Sequence, residues 1–405
     1  MTSLKISTTE ELLAVLPHQV GYHLEDCVTI LMVTDKIVGP VARTDLPPER
    51  HALEAAATVL ESVLRVEPQL ALLVAYESVP GESRTLMRAL HDGLLLAGVQ
   101  LIDHVVVRNG HWWGWCCRPA GSLDGILRNH LDGHPMADSA AVPAVSEFIA
   151  RGSAPLADRT AMSALVTEDR LVSEGVGDAL EALWDTCWAT VDPDGVLDTA
   201  GTADAEDAAD FDEADVDSEA RDLARGLARA LARERCAAYV AGVERVPHLW
   251  ARVLAPEGDR GDTFEATDDE VARLAHSLIH KPWRDALIAW LSPVMFPLDQ
   301  VDEEFVELLG QHATTGPAVT SERSQTALRR LLRLAQRVPD DWSGEAAAIC
   351  TVAACVAWGL GNGSTAGDGV ARALRLQPGY TLAGYLRRMI EFQLRPRQAW
   401  SDVAA

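Results

Sequence analysis

The run from Cys27 to Leu46, CVTILMVTDKIVGPVARTDL, constrains the fold more than any other stretch, because it is dense in β-forming residues and changes polarity twice. Val28, Ile30, Leu31, Met32 and Val33 write one strand, and Asp35-Lys36 a tight turn. Ile37, Val38 and Val41 write a second strand closing on Arg43 and Asp45. We read this as a hairpin at the centre of a sheet. Upstream, Thr8-Thr9-Glu10-Glu11 has the form of a capping box leading into Leu12, Leu13 and Leu16, so a short helix precedes the hairpin. Pro17 to His23 reads as a loop in which Gly21 suits a bend.

Downstream, Pro47-Pro48 opens a helix with Leu53, Ala56, Ala57, Leu60 and Leu64 at helical spacing. Leu70 to Tyr76 is a short apolar run and reads as a strand covered on both faces. Leu86, Ala89, Leu90, Leu94 and Ala97 mark another helix, and Ile102 to Val107 another strand. This alternation predicts an α/β N-terminal domain over residues 1–125, with a mixed sheet and flanking helices. His111-Trp112-Trp113-Gly114-Trp115-Cys116-Cys117 closes it, read as an edge strand whose alternate rings pack on the core or face a partner.

A chain of 405 residues exceeds one small core, and 48% hydrophobic content is ample for two. Residues 126–190, with turn signals at Pro135, Pro143 and Gly152 to Pro155, read as a helical connector. Within it Leu180, Leu183, Trp184 and Trp188 form an amphipathic face. Residues 191–219 read as an acidic flexible linker, because Asp198 to Glu219 holds many carboxylates, no basic residue and too little apolar surface to order itself. Residues 220–395 read as an all-α helical domain. Leu223, Leu227 and Leu231 recur there, and Thr267 to Glu270 caps a helix carrying Val271, Leu274, Ala275 and Leu278. Ala366, Val370, Ala373 and Pro378 fall at the spacing of a tetratricopeptide-like terminal hairpin, of which one unit is evident.

A net charge of -25 argues against wrapping nucleic acid or lying on an anionic membrane. The N-terminus lacks a basic segment followed by an apolar one, and Ala346 to Leu360 falls short of the roughly 20 residues that span a bilayer, so a cytoplasmic location is expected. Seven cysteines without a secretion signal read as reduced thiols.

Candidate ligand-binding residues are His23, Arg43, Asp45 and Cys117; Arg43 and Asp45, two apart on a strand, share a face and hold either a ligand or each other. Cys117, His130 and His134 reproduce half of a zinc-finger spacing, with His111 nearby, but adjacent Cys116 and Cys117 lack the gap that lets two thiolates reach one ion. Asp192 to Gly195 fails as a calcium loop because Ala203 stands where a glutamate is needed. Gly361 to Gly367 follows a helix and lacks the lysine of a phosphate loop, so it reads as a cap. No metal or other cofactor is therefore expected. Partner-binding candidates are Trp112, Trp113, Trp115, Trp358 and Tyr380.

Several motifs belong together. They are Leu13 through Pro17, Gly21 and Glu25-Asp26 to Arg43-x-Asp45-Leu46-Pro47, then the Trp-rich strand into Cys116-Cys117-x-Pro119-x-x-Gly121. They continue with Trp358-x-x-Gly361-Asn362-Gly363, Arg372-Ala373-Leu374 and Pro378-x-Tyr380-x-Leu382-Ala383. With these the chain resembles an actinobacterial family catalogued as a domain of unknown function, number 4192. The resemblance covers most of the chain and is weakest over about residues 190 to 265. The family's pattern has a further cysteine before the Cys-Cys pair and a proline after it; here Trp113 to Trp115 supply none and Arg118 takes the proline's place. The resemblance implies no activity.

Two functions fit. One is a non-enzymatic interaction or regulatory factor that holds another protein through its helical domain and Trp-rich edge, compatible with a homo-oligomer and needing neither nucleic acid nor membrane. The other is an enzyme acting on a small molecule in an interdomain cleft. The first is preferred because no nucleophile, base and orienting group can be written down as a set.

Overall fold

The computed structural model describes residues 8–34, 37–114, 133–150, 154–191, 230–242, 245–258, 262–318 and 321–394. They group into two units: Met1–Ala164 with Gly361–Ser364 and Tyr385–Ala405, and Leu165–Leu360 with Thr365–Gly384.

The first unit opens with α1 (Thr9–Val20), capped where Thr8 accepts the Glu11 amide. The expected loop at Pro17 is instead the last turn of this helix. Pro17 offers no N–H to the ladder, and burial of Leu13, Leu16 and Val20 offsets that loss. The helix stops at Gly21, whose φ of 95° is left-handed and whose amide reaches the Pro17 carbonyl at 2.8 Å.

The strands are β1 (Cys27–Thr34), β2 (Ile37–Asp45), β3 (Leu70–Tyr76), β4 (Gln100–Arg108), β5 (His111–Gly114) and β6 (His134–Pro135). They form one mixed sheet in the order β2-β1-β3-β4-β5-β6, with β3 and β4 parallel and the other neighbours antiparallel. The hairpin therefore lies at the edge of the sheet, correcting the central position expected for it. Gly39-Pro40 and the polar end of β2 suit an outer strand, where a missing N–H breaks no ladder bond. The apolar β3 sits inside, between β1 and β4.

Helices α2 (Ala52–Leu64) and α3 (Arg84–Leu96) cover one face. Ala56, Val63, Leu86, Leu90 and Leu94 meet Val28, Ile30 and Met32 of β1 and Leu73 of β3. Truncating Leu73 or Leu90 to Ala would cost roughly 2–5 kcal/mol. Below α1 the chain continues through α4 (Pro143–Ala150) and α5 (Arg159–Ala164). Val142, Ala144 and Val145 pack on Ala14 and Val15, and Leu156 bonds both Gly21 and His23 through its backbone. Late residues also belong here: Arg65 donates to the Glu391 carbonyl at 2.9 Å and stacks 4.9 Å from Phe392.

The second unit is helical. It holds α6 (Arg170–Val191), α7 (230–242), α8 (Arg245–Leu254), α9 (Asp268–Ser277), α10 (Lys281–Leu291), α11 (Glu303–His312), α12 (Ser321–Arg337) and α13 (Ser343–Gly359). It also takes in most of α14 (Gly363–Leu376) and the start of α15 (Thr381–Glu391). Thr267 and Glu270 complete the expected capping box in both directions. Helix α13 is buried from Gly344 to Trp358 because no side of it is polar enough to face water.

Two arginines fasten this bundle. Arg330 of α12 pairs with Asp262 at 2.9 Å and donates to the carbonyls of Val253 and Ala255, where α8 ends. Arg372 of α14 repeats the device one helix on, pairing with Asp340 and donating to Ala335 and Val338 at the end of α12. Each supplies cationic donors to the orphan carbonyls of a helix C-terminus. No helix among the described residues is long and apolar enough to cross a membrane.

Candidate functional site

The sheet's register places six side chains in one row. Asp45, Cys27, Tyr76, Val107, Trp112 and His134 are successive cross-strand partners, all on the face turned away from α2 and α3. The row runs along the carboxyl ends of the parallel pair β3 and β4, the end of an α/β sheet at which ligands usually bind. Arg43 stands one step back, opposite Thr29.

Arg43 is the hub. Its guanidinium meets Asp45 at 2.5 Å, acts electrostatically on the Cys27 thiol and lies 5.8 Å from the Tyr22 ring centre, with Arg159 at the same distance from that ring. The sequence expectation that Arg43 and Asp45 share a face therefore holds, and they hold each other. The Asp45 carboxylate is 79% exposed, so the pair itself adds little stability.

Burial governs the titrations. It pushes the Cys27 thiol up to about 11 against the lowering influence of Arg43, and it raises Tyr76 as well. Burial also raises Tyr22 despite the two arginines. At neutral pH this cluster therefore presents a protonated thiol, two phenols and two guanidinium groups, of which Arg43 is paired with Asp45. Two of its buried donors, Tyr76 Oη at 7% exposure and Trp112 Nε1 at 6%, have no hydrogen-bond partner among the described residues, and Arg43 Nε shares that condition.

The other expected residues are dispersed. His23 is exposed, with its amide bonded to Leu156. Trp112 is buried and stacks on His134, ring centres 4.7 Å apart. Trp113 points to the opposite face and is half-buried, with Arg108 4.9 Å from its ring and His111 at 6.4 Å. A side chain at Gly133 would come within 2.6 Å of Trp113, so only glycine lets the chain pass there. Trp358, offered as a partner contact, is 1% exposed and is core. Tyr380 receives a hydrogen bond from Arg284 at 2.9 Å beneath a stacked guanidinium. Cys117, Trp115 and His130 lie outside the described residues. Among the described residues no three His, Cys, Asp or Glu gather as they would to hold a metal.

Sequence reading missed Tyr22, Cys27 and Arg159 around Arg43, and Tyr76 beyond Cys27. Which strand lies beside which is not a local property, and the row forms only once that order is known.

A family model described as "Domain of unknown function (DUF4192)" matches residues 10–295 and 313–397. The chain belongs to this family. No curated protein and no solved structure matches the chain. The DUF4192 match takes in both the sheet row around Arg43 and the helical anchors at Arg330 and Arg372.

Proposed function

We propose that this DUF4192 chain is a non-enzymatic interaction or regulatory factor that grips a partner protein with the Trp-rich strand β5, next to the outermost strand β6. The observation that carries this reading is the Trp113 platform. A half-exposed indole is braced by Arg108, and Arg108 is itself fixed by Glu77 at 3.2 Å. Glu77 in turn accepts from Ser83 and from the Gly81 amide at 3.0 Å. Tryptophan and arginine dominate the energetics of protein interfaces, and side chains already held in place lose little entropy on binding. The protonated state of Cys27 and Tyr76 supports the same reading, since neither is a ready nucleophile at neutral pH.

The test is affinity capture from native cells with the wild-type chain, Trp113→Ala, and Val79→Ala as an exposed apolar control. A stoichiometric partner should be held by wild type and by the control, and be released at least tenfold more readily by Trp113→Ala at unchanged melting temperature. Equal retention by all three would reject the platform.

A second reading, a small molecule held on the opposite face, is favoured by the unpaired Tyr76 and Trp112 donors in the row that Asp45 begins. A metabolite co-purifying with wild type and lost with Tyr76→Phe would favour it over the first.

A further inference from the structure

Arg330 has a buried counterion and Arg43 has not. The Asp262 side chain that pairs with Arg330 is 8% exposed, whereas the Asp45 side chain that pairs with Arg43 is 79% exposed. A carboxylate so open to water is held loosely and gives way to a competing anion at little cost. Arg43 reaches the surface through its own 17% exposure, and its Nε is buried without a hydrogen-bond partner among the described residues. It stands on β2, the last strand at its end of the sheet.

A second guanidinium is brought to the same place by the turn that ends α1. Past the left-handed Gly21, Tyr22 pairs with Leu156 in a parallel bridge. The Leu156 amide donates to the Gly21 carbonyl at 2.9 Å, and the His23 amide donates to the Leu156 carbonyl at 3.0 Å. Helix α5 follows and closes on this turn so tightly that a Cβ at Gly21 would meet Met162 Cε at 2.5 Å. Arg159, the first residue of α5, is thereby set as far from the Tyr22 ring centre as Arg43 is, 5.8 Å, and it donates to the Ser163 hydroxyl at 2.9 Å. The carboxylates next in sequence are engaged elsewhere: Asp158 accepts the Ala161 amide at 2.7 Å, and Asp26 accepts the Ser78 hydroxyl at 2.6 Å. Two cations thus reach one phenol ring against one loosely held carboxylate, in a chain whose net charge is -25. Their mutual repulsion serves no helix end and no buried pair, and a bound anion relieves it.

We infer that Arg43 and Arg159, flanking Tyr22, form a binding site for the oxyanion group of a small ligand, a carboxylate or a phosphate, which displaces Asp45 from Arg43. A guanidinium presents its N–H groups as a planar fork that fits either anion, and the Asp45 oxygen at 2.5 Å marks where one ligand oxygen sits. Asp45 is then an internal competitor that keeps the empty site paired and sets how strongly a ligand must bind. The site gives the second reading above a ligand class but does not depend on Tyr76 or Trp112, which lie on β3 and β5, nor on the Trp113 platform, which lies on the other face. Failure of either earlier test therefore leaves it standing, and its own failure leaves them standing.

The test is calorimetric titration of the folded full-length chain with inorganic phosphate and, separately, with succinate, chloride keeping the ionic strength constant. Saturable binding of at least one anion is expected, each blocking the other; tighter phosphate assigns a phosphate ligand and tighter succinate a carboxylate one. Arg43→Gln and Arg159→Gln should each weaken binding about tenfold or more, as loss of a charge-assisted hydrogen bond does. Asp45→Asn should tighten it about threefold, a gain that damage to the fold would not produce. Arg88→Gln removes the same charge from an exposed position on α3, across the sheet, and should stay within about twofold of wild type. Absence of saturable binding, an equal loss in Arg88→Gln, or unchanged or weaker binding in Asp45→Asn would overturn the assignment. If an arginine variant fails to fold, Asp45→Asn and Arg88→Gln decide.

Discussion

Arg43 and Arg372 are both largely hidden guanidinium groups, one in each unit, and they are used in opposite ways. Arg372 gives its donors to one carboxylate and to carbonyls of Val166, Ala335 and Val338, so it closes a helix end completely. Arg43 meets one exposed carboxylate, and its Nε is buried without a partner among the described residues. A saturated buried arginine is scaffold, because every interaction it can make is already made. An undersaturated one retains capacity to bind. The helical unit thus directs its charges inward to fix helix ends, and the sheet unit leaves donors uncommitted.

The largest test of this contrast is Arg372→Ala. It strands three carbonyls and the Asp340 carboxylate, and should cost about 3–5 kcal/mol in chemical denaturation, as breaking a buried ion pair does. A loss under about 1 kcal/mol would show that water replaces the anchor.

Glu345→Gln comes next. Burial would raise the Glu345 carboxyl, but the His276 hydrogen bond and the Arg233 charge outweigh it and hold the group below its ordinary value of 4.5. A depressed carboxyl stabilises the fold fully above that ordinary value, and the contribution drains away as pH falls through the lower folded value. The variant should lose about 1–3 kcal/mol at neutral pH and show a flatter decline in stability on acidification. Denaturation midpoints measured from pH 7 down to the acid transition decide it; an unchanged acid slope would place the sensitivity elsewhere.

The smallest effect is expected for Tyr76→Phe. Removing a hydroxyl that has no partner should shift stability by under about 1 kcal/mol in either direction. A loss of about 2 kcal/mol or more would mean that the hydroxyl is bonded, and the distinction drawn between the two arginines would weaken.

Local chemistry made much of the architecture legible. The Thr8 and Thr267 caps, the β1–β2 hairpin, the apolar β3 and the uncharged run of α13 from Ala346 each follow from nearby residues, and each forms. The hairpin's place at the edge did not follow, because strand order is set by long-range pairing. Pro17 misled for a related reason, since tertiary burial of Leu13, Leu16 and Val20 overrode a local breaker. At the site, the Arg43–Asp45 pair was visible in a two-residue spacing. Cys27, Tyr76 and Arg159 come from three separate segments, and nothing in their own surroundings announces that they meet. Arg330 and Arg372 were equally silent, because an arginine on a helix looks solvated until the end of another helix arrives beside it.

Arg65, on the helix that follows the hairpin, takes its carbonyl partner from Glu391 and its aromatic cover from Phe392. During synthesis the sheet and its two helices leave the ribosome long before those residues exist. At about 5–20 residues per second the gap is on the order of ten seconds or more, and the whole helical bundle emerges within it. The first part of the chain to be made is therefore among the last to be finished, and a nascent chain stalled before Tyr385 would carry a sheet unit with one flank of α2 still open to whatever else is nearby.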